Sequence, residues 1–187
     1  MSAEFCEGRR NALLFTDPNI KHKKKSMISL IAAISNNSCI GKNGKIPWHI
    51  PADMKQMKEL TIGKNVIMGR KTYESIPDKF RPLPNRTNIV ITSNSSYDVP
   101  EGVEVYGSIA EAILEHEGED IVGFGGQRIY EDMIKMADTL YITHVDEEVD
   151  GCDAFFPSIY PQDWEEIESE DHEEYVFVTY KRKASTQ

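Results

Sequence analysis

A chain of 187 residues, 40% hydrophobic and 28% charged, can bury the core of one globular domain and leaves little length for a second. Its formal net charge of −10 sets most of the surface against a polyanion, so nucleic acid is not an expected partner. No run reaches the roughly 20 apolar residues of a membrane span, Leu13-Leu14-Phe15 is too short for the core of a signal peptide, and Cys6, Cys39 and Cys152 form neither a CxxC pair nor a set with spaced histidines. The expectation is a cytoplasmic protein with unpaired, buried thiols, no metal site and no membrane contact.

Residues 1–26 are polar, lack apolar periodicity and carry six Lys/Arg against three Asp/Glu, ending in Lys21-His22-Lys23-Lys24-Lys25. They read as a disordered extension, and residues 27–187 as the domain. At Met27 the composition changes abruptly. Met27-Ile28-Ser29-Leu30-Ile31-Ala32-Ala33-Ile34 is the near-continuous apolar run of a strand buried on both faces. Residues 36–45 form a polar loop, expected to move, around the turn dipeptide Asn43-Gly44. Ile50-Pro51-Ala52-Asp53 opens a helix over 50–60, because Pro suits the first helical position and Asp the positive end of the helix dipole; Gly63 ends it.

The pattern then alternates. Residues 65–69 predict a strand, 70–75 a short helix stopped by Pro77, 88–92 and 103–106 strands, and 109–116 a helix whose Ser108 and Glu111 have capping-box spacing. A strand at 121–124, a helix at 128–136 and strands at 139–145 and 175–182 follow. Strands alternating with helices imply a mostly parallel sheet covered on both faces, with an antiparallel edge at the helix-poor tail. The Lys- and Arg-free segment 146–174 reads as solvated faces of strands and turns.

Ligands in such sheets bind beyond the carboxyl ends of the strands. Three of those ends suit phosphate: Met68-Gly69-Arg70-Lys71-Thr72 with free backbone N–H groups, a hydroxyl and two cations; Thr92-Ser93-Asn94 with hydroxyls and an amide; and Gly125-Gly126-Gln127-Arg128, where paired glycines admit a close ligand. Each alone is also the ordinary composition of a strand-to-helix turn. Gly123-Phe124-Gly125 matches only part of GxGxxG, since Arg128 stands at the third glycine. Arg70 and Lys71 beside such a turn favour a ligand with an extra phosphate, hence NADPH over NADH.

Asp53 shares a helix face with Met57, and Met54, Met57 and Leu60 are read as the inward side. Burial raises a carboxylate's pKa and a helix N-terminus lowers it, so the sign stays open; helix-start chemistry alone also accounts for an Asp there, and core packing for Trp48. There is no GxxxxGK[ST], HExxH or GxSxG, and the five histidines read as surface or singly bonded residues.

From Met27 to Lys183 the chain resembles the dihydrofolate reductases, of bacterial type. The resemblance rests on 28–33 (Ile-Ser-Leu-Ile-Ala-Ala), Ile40-Gly41, Ile46-Pro47-Trp48, Pro51-Ala52-Asp53, 66–76 (Val-Ile-Met-Gly-Arg-Lys-Thr-Tyr-Glu-Ser-Ile), 81–86 (Arg-Pro-Leu-Pro-Asn-Arg), Gly125-Gly126 with Tyr130, and Leu140-Tyr141-Ile142-Thr143. It implies a single-domain, three-layer α/β fold around a mixed, mostly parallel eight-stranded sheet with an antiparallel C-terminal edge. It also implies NADPH-dependent reduction of 7,8-dihydrofolate, by hydride transfer to C6 and water-mediated protonation at N5, supplying one-carbon metabolism. Asp53 would grip the pterin, Thr143 would hold the carboxylate, and Trp48 would help hold the water.

Ile31, Ala33, Met54, Met57, Ile76 and Phe124 would line the substrate pocket, and Arg86 would clamp the folate's glutamate carboxylate. For the cofactor, Ala33, Ile40, Gly41, Ile46, Phe124 and Gly125 would meet the nicotinamide end. Gly69, Arg70, Lys71, Thr72, Thr92, Ser93 and the run Gly126, Gln127, Arg128, Ile129 and Tyr130 would meet the rest. Residues 41–48 would close over the nicotinamide. Antifolates would be ligands and the protein a monomer. Ile46, Met57 and Asn85 depart from commoner residues of the family, Asn85 standing where Gly is frequent. Two other readings are a related-fold reductase of another pteridine or ribosylated substrate, which Asp53 and Arg86 disfavour, and a non-catalytic NADPH- or folate-binding module.

Overall fold

A computed structural model describes residues 26–184. The extension expected at 1–26 therefore lies, except for Ser26, outside the described residues, as does Cys6. Ten strands and four α-helices follow in the order β1 (Ile28–Ser35), β2 (Cys39–Gly41), α1 (Pro51–Thr61), β3 (Asn65–Gly69), α2 (Arg70–Ser75), β4 (Thr87–Ile91), β5 (Val103–Tyr106), α3 (Ile109–Glu115), β6 (Ile121–Gly123), α4 (Gln127–Met133), β7 (Thr139–Val145), β8 (Ala154–Phe155), β9 (Trp164–Asp171) and β10 (Tyr175–Arg182). Eight strands form one sheet in the order β5-β4-β3-β6-β1-β7-β10-β9. The pairs from β5 through β7 are parallel and the β7–β10 and β10–β9 pairs antiparallel, which is the mixed sheet the resemblance implies.

The burial of the central strands explains their composition. β1 buries residues on both of its faces and β3 buries its first four residues, so both need apolar side chains on either side, as a sheet between helical layers does. Leu30, Ile67, Ile89, Ile121 and Leu140, each fully buried, form the middle of the core; such a side chain contributes about 1.5–3 kcal/mol relative to exposure. Gly123 is fixed by this packing: a Cβ there would lie 2.5 Å from Leu30 Cδ2 and 2.9 Å from Met133 Sδ.

Several boundaries differ from the sequence reading. β4 and α4 each start one residue early, at Thr87 and Gln127, α4 ends at Met133, and β6 stops at Gly123. The polar loop at 36–45 contains β2, which pairs with β8 in a separate two-stranded sheet, followed by a tight turn with Asn43 and Gly44 at φ 52° and 73° and a bridge between Lys42 and Lys45. The acidic segment supplies the whole edge strand β9, of which only Trp164 is buried. His116 is not a surface or singly bonded residue: its ring nitrogens lie 2.9 Å from Glu104 Oε2 and 3.3 Å from Glu119 Oε2.

The unpaired-thiol expectation is also overturned. Cys39 and Cys152 are joined in a disulfide with their Cα atoms 5.9 Å apart across 113 residues of sequence. The β2–β8 pairing, with Cys39 opposite Phe155, is what brings them together, and no local spacing encodes it.

Candidate active site

Asp53 sits in the first turn of α1, which begins on Pro51 and has no side-chain cap at Ile50. Its carboxylate is not spent on that helix end. Thr143, two residues before the end of β7, donates its hydroxyl to Asp53 Oδ1 at 2.5 Å. Thr143 stands in register with Ala33 of β1, and Ile31 lies two residues earlier on the same face. The open sign is thus settled: partial burial raises the Asp53 pKa above its ordinary value, with the Thr143 hydrogen bond pulling the other way. Tyr130 stands close behind. Its buried hydroxyl donates to the Ile31 carbonyl at 2.7 Å, and burial, with the Asp53 charge adding to it, pushes its pKa up.

On the other side of β1, β6 ends at Gly123, two residues before the glycine pair Gly125-Gly126. Gly125 has φ 104°, and a Cβ there would lie 2.9 Å from the Tyr130 hydroxyl oxygen, so only glycine fits; a Cβ on Gly126 would meet Thr72 Oγ1 at 3.3 Å. The Gly125 carbonyl accepts from the Gly69 amide at 2.7 Å, locking the ends of β3 and β6 together. The sheet order β4-β3-β6-β1-β7 therefore lines up the three turns expected to take phosphate beside the Asp53 pocket. Arg70 is partly exposed, 4.0 Å from Glu74 and with its guanidinium 6.0 Å from the Tyr97 ring. Thr72 and Thr92 are half-buried, Lys71 and Ser93 exposed.

Arg86 is held in a defined pose. Its Nε donates to the Pro84 carbonyl and its Nη1 to Thr61 Oγ1, both at 3.0 Å, while the fully buried Thr61 hydroxyl donates to the Met57 carbonyl at 2.7 Å. Arg86 thereby sits at the last turn of α1 and Asp53 at the first, eight residues or about 12 Å of helix apart. Partial burial lowers the Arg86 pKa from its ordinary value.

Asn88 staples the same loop. It accepts from the Leu83 amide and donates to the Leu83 and Arg86 carbonyls, and Asn85 takes the left-handed conformation at φ 61° that a Gly would also supply. Ile76 and Phe124 are partly buried against one apolar cluster and Ile40 against the main core. Met57 and Trp48 are half-buried.

Some expected site residues stand apart. Met54 does not face inward: it is 45% exposed, as is Ile46 at 61%. Ile129 is buried at 5% and backs Gly69, which gives it a packing role. The Gln127 side chain is engaged with the Phe155 amide at 2.9 Å, and Arg128 is exposed. Thr61 and Asn88, which orient Arg86, were not visible beforehand because each acts through a fold contact rather than a motif. No group of acidic, His or Cys side chains among the described residues could hold a metal ion, and none of the described helices is long and apolar enough to cross a membrane.

With this geometry in hand, comparison with known proteins gives one answer. The family described as dihydrofolate reductase matches residues 27–182. A type 3 dihydrofolate reductase of Salmonella typhimurium is 43% identical over 147 residues, covering 78% of this chain and 88% of its own. A dihydrofolate reductase of Neisseria meningitidis is 44% identical over 162 residues, 83% of this chain and 98% of its own. Among solved structures, a dihydrofolate reductase from Enterococcus faecalis complexed with NADP(H) and RAB-propyl superposes with a TM-score of 0.76 at 36% identity, covering 86% of this chain and 99% of that one.

Proposed function

The chain belongs to the dihydrofolate reductase family, and on that premise we propose how its own residues carry out the NADPH-dependent reduction of 7,8-dihydrofolate to 5,6,7,8-tetrahydrofolate. The observation that carries the assignment of roles is the partly buried Asp53 carboxylate, held by Thr143 of β7, with only β1 between that strand and β6, which leads to the Gly125-Gly126 cradle.

A carboxylate short of water binds a paired set of N–H donors strongly, because each hydrogen bond is charge-assisted and the competing solvent is already gone. In this reading Asp53 takes the 2-amino group and N3–H of the pterin, and Thr143 keeps the carboxylate in that orientation. Asp53 is on the side of the ring away from N5. The proton reaches N5 through water that Trp48 helps order, and Asp53 biases the ring towards accepting it. Arg86, with Nε and one Nη1 hydrogen committed to Pro84 and Thr61, presents its two Nη ends to the carboxylate of the glutamate tail. α1 thus acts as a ruler between the two ends of the substrate.

The residues present fit NADPH. The turn at Gly125 has no room for a side chain, so backbone lines the approach, and Arg70, Lys71 and Thr72 with Thr92 and Ser93 offer cations and hydroxyls at the neighbouring strand ends. When bound there, NADPH supplies the hydride that goes to C6. Ala33, Ile40, Gly41, Ile46 and Phe124 hold the nicotinamide end dry, with residues 41–48 closing over it. A monomer in the cytoplasm is part of the same reading, and antifolates are ligands of the same pocket.

Purified protein should oxidise NADPH on addition of dihydrofolate. Arg70→Ala should weaken NADPH by roughly 10- to 100-fold, the worth of a charged hydrogen bond, and leave NADH almost unaffected; equal losses would show that Arg70 does not read the extra phosphate.

A further inference from the structure

The bridge between Cys39 and Cys152 ties together two segments whose non-covalent pairing is short, three residues of β2 against two of β8. Cys39 opens β2, whose last residue, Gly41, starts the 41–48 loop, and Cys152 lies two residues before β8. Around the bridge, the Asp153 amide donates to the Gly41 carbonyl at 3.2 Å, the Asn43 amide to Asp153 Oδ2 at 2.8 Å, and Lys42 Nζ to the Asp150 carbonyl at 2.5 Å. The last two are exposed, and exposed hydrogen bonds exchange readily with water. The disulfide adds a covalent tie to the short β2–β8 pairing and the Asn37–Val149 hydrogen bonds, joining the base of the loop to the 149–155 segment and, through Phe155 and Gln127, to the start of α4 beside the glycine pair.

The two cysteines are unequal: Cys39 is fully buried and Cys152 is partly exposed, so the open approach for an incoming sulfur nucleophile is on the Cys152 side. The local backbone also suits the reduced pair. Gly41 O lies 3.4 Å from Cys39 Sγ and 3.3 Å from Cys152 Sγ, and Ala154 O lies 3.0 Å from Cys152 Sγ, so two new S–H groups have carbonyl acceptors close by once the sulfurs part.

We propose that Cys39 and Cys152 form a redox site that exchanges with small thiols and disulfides, and that its closed form restrains the loop over the nicotinamide and slows release of the spent cofactor. The proposal rests on the reading above that residues 41–48 cover that pocket. A thiolate of a small thiol attacks Cys152 Sγ; the Cys39–Cys152 bond breaks, and Cys39 leaves as a thiolate that takes a proton. A second small thiol resolves the mixed disulfide, so that two thiols become one small disulfide and their two protons and two electrons pass to the protein sulfurs. The reverse reaction, with a small disulfide as oxidant, closes the bridge. A bridge of this kind is transient in a reducing compartment and persists in an oxidising one.

The test uses the full chain carrying Cys6→Ser, which leaves only this pair of cysteines. Thiols are counted after denaturation, following incubation of the native protein with a small disulfide or a small thiol. NADP+ release is then timed by stopped-flow displacement in both forms and in Cys152→Ser. The expected count changes from none to two, with release about threefold or more faster in the reduced protein, and with Cys152→Ser matching the reduced form whether or not thiol is present. A bridge that never forms, or that native protein will not open, overturns the proposal; so does release that is unchanged when the count shows it open. Should Cys152→Ser fail to fold, the two chemical forms of the parent decide alone. Failure of every form to oxidise NADPH with dihydrofolate would instead strike the functional reading, since the thiol count stands apart from activity.

Discussion

Tyr73 buries its hydroxyl with no hydrogen-bond partner, under the Arg81 guanidinium 5.6 Å from the ring centre. An unsatisfied polar atom costs stability where its removal does not, so Tyr73→Phe should be neutral or stabilising by up to about 1 kcal/mol in a denaturant titration; a loss of 2 kcal/mol or more, about the worth of a made hydrogen bond with its orphaned partner, would mean that the hydroxyl is bonded. The Asp53 carboxylate has a related cost. Because burial raises its folded pKa, Asp53 lends the apoprotein most stability at acid pH, below its unfolded value, and that contribution is lost as pH rises through the raised value. Holding the charge at neutral pH is therefore a cost, which the pterin N–H groups of the proposed complex offset. Residues such as Asp53, Thr143 and Arg86 were legible in the sequence because they sit in short segments resembling a family. The direction of the Asp53 shift was not, since burial and the helix end oppose each other and only coordinates weigh them.

At the scale of elements, α1 and the 81–88 loop form one device. The buried Asn88 makes three hydrogen bonds that hold the loop around Asn85, and the loop in turn carries Arg86 to Thr61 at the end of α1. Asn88→Ala should cost about 2–4 kcal/mol of stability, as several buried backbone groups lose their partner, and should raise the KM for dihydrofolate much more than it lowers kcat. An unchanged KM would uncouple the staple from the clamp. The long elements were readable from periodicity and end signals: α1 from Pro51 to Gly63, and α3 from Ser108, whose hydroxyl accepts from the Glu111 amide. β2 and β8 were not readable, being two or three residues long and defined only by each other. β9 hid behind its charge, because at an edge nearly every side chain can face water.

For the whole molecule, the parallel half of the sheet gathers the turns proposed to bind ligands at one end, and the antiparallel β7, β10 and β9 close the other side. That side carries a pH response. His144 of β7 lies 2.9 Å from the Tyr180 hydroxyl of β10, and burial lowers its pKa from 6.5, with Glu166 of β9 opposing. The unfolded chain then binds the proton better. The stability this group contributes is present above about pH 6.5 and is lost as pH falls through the lowered value. Between about pH 7 and about pH 5, His144→Gln should lose less stability than the parent in urea titrations; parallel curves would show that the acid response lies elsewhere.

The most direct measurement is the rate of dihydrofolate-dependent NADPH oxidation by Asp53→Asn, taken beside its thermal melt. The expected result is a fall in turnover of roughly 10²-fold or more with a melting temperature equal to or above the parent's at neutral pH. A folded Asp53→Asn that turns over at the parent's rate would contradict the role assigned to the carboxylate.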